Sequence, residues 1–90
     1  MKRIFPSTQY KKNYKRFRNN PSKMKALAMN IDLLANEQPI PALYNPYQLH
    51  GDYKGCMECH VQGDFLLVWV DEARDVIELV RLGSHSELFG

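Results

Sequence analysis

Apolar and polar positions alternate along the chain with two different periods, and the change of period divides it into halves. Lys2-Arg3-Ile4-Phe5 has the look of a short strand, ended by Pro6. Ser7 or Thr8 then offers a side-chain oxygen to cap a helix. Tyr10, Tyr14 and Phe17 recur at i, i+4 and i+7, a helical stripe among Lys11, Lys12, Lys15, Arg16 and Arg18. Asn19-Asn20-Pro21 predicts a turn, and proline suits the first turn of the helix after it. There Met24, Leu27, Ala28, Ile31, Leu34 and Ala35 repeat at spacings of three and four, so one face is apolar. Two amphipathic helices joined this closely predict an antiparallel hairpin. Gln38-Pro39-Ile40-Pro41 stops the second helix, and prolines keep the segment to Pro46 irregular.

Beyond that point the period becomes that of strands. Gly51 and Gly55 bracket the entry to a strand expected over Tyr53 to His60, and Gln62-Gly63-Asp64 predicts a hairpin turn. Phe65-Leu66-Leu67-Val68-Trp69-Val70 is almost continuously apolar, which reads as a central strand covered on both faces. Residues 71–75 predict another turn, and Val76 to Leu82 a third strand ended by Gly83. Ser84 caps a last helical turn running to Phe89. Helices before a run of strands argue for one α+β domain over residues 1–90: a strand, a helical hairpin, a three-stranded antiparallel meander and a short tail. Ninety residues make one core and no more.

Composition adds an asymmetry. The apolar share of 44% and charged share of 24% are those of a folded globule. Residues 1–45 hold nine Lys or Arg against Asp32 and Glu37, a balance of +7; residues 46–90 hold three against eight acids, a balance of −5. A basic half of this density suits a polyanion backbone, and suits equally a solvated helix surface. The charged N-terminus is not followed by a signal-peptide core, and nothing approaches the about 20 apolar residues of a membrane span. The expected place is therefore a reducing cytoplasm, with Cys56 and Cys59 as thiols.

Cys56-Met57-Glu58-Cys59-His60 spells C-x-x-C-H, formally a haem attachment motif. In a strand, however, Cys56 and Cys59 point to opposite faces. The same alternation separates Cys56, Cys59, His50 and His85 as tetrahedral zinc ligands. The expectation is no cofactor and no metal, with the cysteines as small apolar strand residues. His60 and Asp64 flank one turn; Arg81, His85 and Phe89 follow the third strand. Each alone has an ordinary structural explanation. Together they supply what metal-independent RNA cleavage needs: groups to withdraw and return a proton, a cation for the phosphate, and an aromatic ring for a base. No carboxylate cluster suits magnesium.

Several of these residues fall in a familiar order. Pro41-Ala42-Leu43-Tyr44, Leu49-x-Gly51-x-Tyr53-Lys54-Gly55, Glu58-Cys59-His60, Asp64-Phe65-Leu66-Leu67-Val68 and Arg81-x-Gly83-Ser84-His85-Ser86-Glu87-Leu88-Phe89 resemble the YafQ branch of the RelE/ParE toxins of bacterial type II toxin–antitoxin modules. The resemblance implies an mRNA interferase that enters the ribosomal A site and cuts mRNA through the 2′-hydroxyl. It also implies neutralisation by a cognate antitoxin, with operator DNA bound only through the complex of the two. By position it implies an acid–base set of His60, Asp64 and His85, with Arg81 at the scissile phosphate and Phe89 orienting the nucleotide. Lys11, Lys12, Lys15, Arg16, Arg18 and Lys54 become the surface for ribosomal RNA.

Two positions depart from the family. Where it commonly reads Asp-His-Pro-Leu, this chain has Pro46-Tyr47-Gln48-Leu49, so Tyr47 occupies the histidine's place and His50 a variable one. Both remain candidates for the site. The family's aspartate–tryptophan pair is Asp64-Phe65. The Tyr47 departure leaves open a second reading, a non-enzymatic ParE-like toxin that grips a protein target.

Overall fold

A computed structural model describes residues 1–71 and 75–90. The strands are β1 (Arg3–Pro6), β2 (Tyr47–Gln48), β3 (Met57–Gln62), β4 (Phe65–Val70) and β5 (Val76–Gly83); the helices are α1 (Thr8–Lys15), α2 (Pro21–Ala35) and α3 (His85–Phe89). They form one sheet in the order β1-β5-β4-β3-β2. The expected meander is its centre: β3, β4 and β5 pair antiparallel. β1 joins β5 in parallel, and the two-residue β2 joins β3 at the far edge. The expected turn at 71–75 lies mostly outside the described residues.

Each element has a local cause. Ser7 Oγ accepts from the Tyr10 amide and starts α1; Asn20 Oδ1 accepts from the Lys23 amide and starts α2, with Pro21 next to it. The two helices follow one another through a turn as expected, yet their main packing is on the sheet: α1 lies against β5, and α2 against β3 and β1. Ala28, expected on the apolar face of α2, is exposed, and Asn30 is buried instead. Its amide nitrogen donates to the Ala26 carbonyl at 2.9 Å, which lets a polar side chain sit in the core.

The strand expected over Tyr53 to His60 begins only at Met57. Gly51 and Gly55 both have positive φ, 70° and 93°, and close a 3-10 turn over Gly51–Tyr53. The Lys54 amide donates to the Gly51 carbonyl, and the Cys56 amide to that of Tyr53. This frees Tyr53 from the ladder.

β4 is the centre of the molecule, as its apolar run predicts. Phe65, Leu67 and Trp69 enter the core under the helices with Tyr10, Leu27, Cys59, Ile77, Leu79 and Leu82. Leu66 and Val68 enter a smaller core on the opposite face with Leu49, Cys56 and Leu88. At about 1.5–3 kcal/mol for each large apolar side chain removed from water, this two-sided strand is the principal source of stability.

Candidate active site

Residues directly opposite one another in a sheet share a face. The pairs Tyr47–Glu58, Glu58–Val68 and Val68–Arg81 therefore run as one row across β2, β3, β4 and β5 on the face away from the helices. His60, Leu66 and Gly83 form the row beside it. Arg81 belongs to this face only because β5 is bulged. Trp69 pairs with Leu79 but Val68 with Arg81, so Val80 is an extra residue. Were Leu79, Val80 and Arg81 paired as a regular ladder, alternation would put Arg81 under the helices with Leu79.

The guanidinium is fixed from two sides. Its Nε donates to Asn13 Oδ1 at 2.9 Å and its Nη1 to the Tyr53 hydroxyl at 2.9 Å. Asn13, buried on α1, accepts with the same oxygen from the Leu82 amide at 3.1 Å. Nη2 makes no hydrogen bond among the described residues. The Tyr53 ring stands edge-on to Phe89, centroids 5.2 Å apart, and Phe89 lies 5.1 Å from the His85 imidazole. Arg81, Tyr53, Phe89 and His85 thus form one chain of contacts, with Tyr53 as the unforeseen link.

α3 is short, and its geometry depends on caps. Ser84 Oγ accepts from the Glu87 amide while Glu87 Oε1 accepts from the Ser84 amide, a reciprocal capping box. Asp64 Oδ1 accepts from the His85 amide at 2.9 Å, tying the β3–β4 turn to the helix start. The carboxylate is thereby engaged by the backbone of His85. Arg16 forms an ion pair with Glu87, joining α1 to α3.

His60 is half-buried, and its partner is one that the sequence did not single out. Glu58 is 0% exposed, and its Oε1 lies 3.5 Å from His60 Nε2. Neither carboxylate oxygen has a hydrogen bond among the described residues. Tyr47 stands opposite Glu58 in the register. Burial first, then the nearby Glu58 charge, raises its phenol above the ordinary value, so it stays protonated and can donate. A glutamate two residues before a strand histidine must share its face, and that spacing was the available signal. His50 is exposed at the entry to the 3-10 turn, and no side-chain hydrogen bond or ion pair joins it to other described residues.

Cys56 and Cys59 lie in the two different cores, on opposite faces as the alternation requires, and no disulfide joins them. Burial pushes the Cys59 thiol up to about 12, aided by the charge of Glu58. Among the described residues no group of three or more His, Cys, Asp or Glu side chains is placed to hold a metal ion. Lys11, Lys12, Lys15, Arg16, Arg18 and Lys54 are exposed. Lys11, Lys15 and Arg18 line one groove with Pro6, Tyr10 and Tyr14; Arg16 reaches the site itself through Glu87.

The family model described as "Bacterial toxin of type II toxin-antitoxin system, YafQ" matches residues 2–90. This chain belongs to the YafQ toxin family. The mRNA interferase toxin YafQ of Escherichia coli K12 is 33% identical over 85 residues, 93% of this chain and 91% of that one. A metal-bound toxin from Helicobacter pylori is 39% identical and superposes with a TM-score of 0.87, covering 99% of this chain and 100% of its own. The toxin of the E. coli DinJ–YafQ complex is 30% identical with a TM-score of 0.87, and each chain is covered completely. The YafQ fold thus extends over the whole chain, both core faces and α3 included. No helix among the described residues is long and apolar enough to cross a membrane.

Proposed function

We propose that this chain is the toxin of a type II toxin–antitoxin module, an endoribonuclease that cuts mRNA on the ribosome. Its YafQ relative in E. coli K12 is an mRNA interferase toxin, and a YafQ has been solved with DinJ. The observation that carries the reading is the bulge in β5, which sets Arg81 on the face that also presents His60, with Tyr53 linking the guanidinium to Phe89 and through it to His85. In the proposed reaction, His60 and His85 move the protons: one leaves the 2′-hydroxyl as it attacks the phosphorus, and one reaches the departing 5′-oxygen. The products are a cyclic phosphate and a free 5′-hydroxyl. Arg81, held by Asn13 and Tyr53, steadies the charge growing on the phosphate. Phe89 stacks on a base. Asp64 belongs to this set through the His85 amide, and Tyr47 donates a hydrogen bond in place of the family histidine.

The exposed cations Lys11, Lys12, Lys15, Arg16, Arg18 and Lys54 support contact with ribosomal RNA in the A site. The protein then acts in the cytoplasm, and its neutralising partner is a cognate antitoxin, operator DNA being bound only through their complex. The test is translation-coupled cleavage mapped by primer extension, for wild type and His85→Ala. Cuts within A-site codons that fall by orders of magnitude in the variant support the reading. A folded wild type that binds antitoxin and leaves mRNA intact overturns it in favour of a toxin that grips a protein target.

A further inference from the structure

Arg16 differs from the other five cations of the basic surface. Among the described residues it is the one of the six with an ionic partner, Glu87 of α3. Its guanidinium also lies 5.6 Å from the centre of the Phe17 ring, and that ring is tilted against Phe65 at 4.8 Å. A guanidinium resting on a packed aromatic ring is held more firmly than an ammonium free in solvent. Glu87 is committed in turn. Its Oε1 accepts from the Ser84 amide at 2.8 Å while its Oε2 faces Arg16. A Cβ on Gly83 would come to 3.0 Å from that Oε1, so the glycine is what leaves room for the carboxylate to fold back.

α3 needs such ties, because five residues do not hold a helix in water. Asp64 and the capping box fix its first turn, and Leu88 fixes its inner side in the smaller core. The pair with Arg16 fastens it to α1, and α1 also anchors Arg81 through Asn13. Asn13 and Arg16 are three residues apart, and Arg16, the C-cap, keeps helical dihedrals, so the two share one face. No hydrogen bond or ion pair joins Arg81 to His85 among the described residues. Their spacing is set by what each is fastened to.

We infer that Arg16 is a positioning residue for cleavage: by pairing with Glu87 it fastens α3 to the helix that anchors Arg81, and so sets His85 and Phe89 against the guanidinium. Its effect on cleavage rests on the nuclease reading above; the contact itself does not. One turn of α1 carries both anchors, Asn13 for the cation at the phosphate and Arg16 for the helix bearing the histidine and the ring. The pair adds little to global stability, as is usual for an exposed ion pair. α3 can loosen while the rest stays folded, however, and there a small energy decides how often the site is assembled.

The experiment uses the full-length toxin with Arg16→Gln, Glu87→Gln and the two combined. Glu87→Gln keeps an oxygen for the Ser84 amide, so it removes the ion pair and leaves the cap. Amide exchange on the free protein reads α3 with no RNA present. Each single variant is expected to speed exchange at residues 85–90 and to leave the sheet and the melting temperature unchanged. Single-turnover cleavage on programmed ribosomes then separates the maximal rate from the toxin concentration that gives half of it. Each single variant is expected to lower the maximal rate about fivefold, and the double variant to fall no further, with the half-saturating concentration unmoved. A cation that only grips RNA behaves otherwise: Arg16→Gln then raises the half-saturating concentration, and Glu87→Gln, which frees the arginine, lowers it. That result overturns the inference, as do losses that multiply in the double variant, or unchanged exchange at residues 85–90 in both single variants. Should wild type cut no mRNA, the nuclease reading falls, and the exchange measurement still decides whether Arg16 holds α3.

Discussion

Tyr53 shows how much one hydroxyl can be asked to do. It accepts from Arg81 Nη1 and donates to the Leu88 carbonyl at 3.4 Å, while its ring rests against Phe89. Tyr53→Phe keeps the ring and removes both hydrogen bonds. Stability should fall by about 1 kcal/mol, and cleavage by roughly tenfold as the guanidinium loses one of its two anchors. Melting curves and single-turnover rates check this; unchanged cleavage would mean that Asn13 alone suffices to aim Arg81. Cys59 gives a second outcome at this scale. Its thiol is protonated in the folded state up to about pH 12, whereas an unfolded thiol releases its proton near the ordinary value of 9.0. Between those limits the unfolded chain binds fewer protons, so stability falls as pH rises. Denaturant titrations at pH 8 to 11 should show that decline, and Cys59→Val should flatten it. The sequence made His60, Arg81, His85 and Phe89 visible as candidates, because they carry their chemistry in their side chains. It did not reveal Asn13, Glu58 and Tyr53, whose importance comes from what they touch.

Whole elements were read correctly where burial dictates the pattern. The run from Phe65 to Val70 has no polar position, and only a strand covered on both faces tolerates that. β2 was missed because two residues held by pairing with β3 leave no period to detect. The bulge at Val80 was missed for a related reason: Val76 to Leu82 reads as a plain strand, and an extra residue in it is visible only from the pairing of β4. Deleting Val80 should therefore leave the site in place. It would remove the bulge and put Arg81 directly after Leu79, so regular alternation still gives Arg81 the face of Val68, and cleavage should persist in a variant that still folds by circular dichroism. α3 depends on its caps. Ser84→Ala removes the acceptor for the Glu87 amide and should cost about 1 kcal/mol, seen as faster amide exchange confined to residues 85–90.

Across the whole molecule, the basic N-terminal half and the acidic C-terminal half meet near the site, where Arg16 pairs with Glu87. Reversing Lys11, Lys15 and Arg18 to glutamate should weaken ribosome association severalfold at low salt and much less at high salt, as pelleting assays would show. Loss of cleavage with unchanged association would assign those cations elsewhere. The charge division was legible from composition alone. Its seam was not, since it depends on α1 lying across the end of β5.

That position of α1 has one more consequence. β1 accompanies β5 only as far as Leu79, so the rest of the strand would otherwise present bare amides and carbonyls at the border of the sheet. Ser7 Oγ donates to the Val80 carbonyl at 3.0 Å, and Asn13 Oδ1 accepts from the Leu82 amide. One side chain of α1 and that of its N-cap stand in for the missing strand. They deny a docking template to any other extended chain, a second copy of this protein included. The residue that anchors the arginine therefore also occupies a strand amide that a neighbouring chain would need.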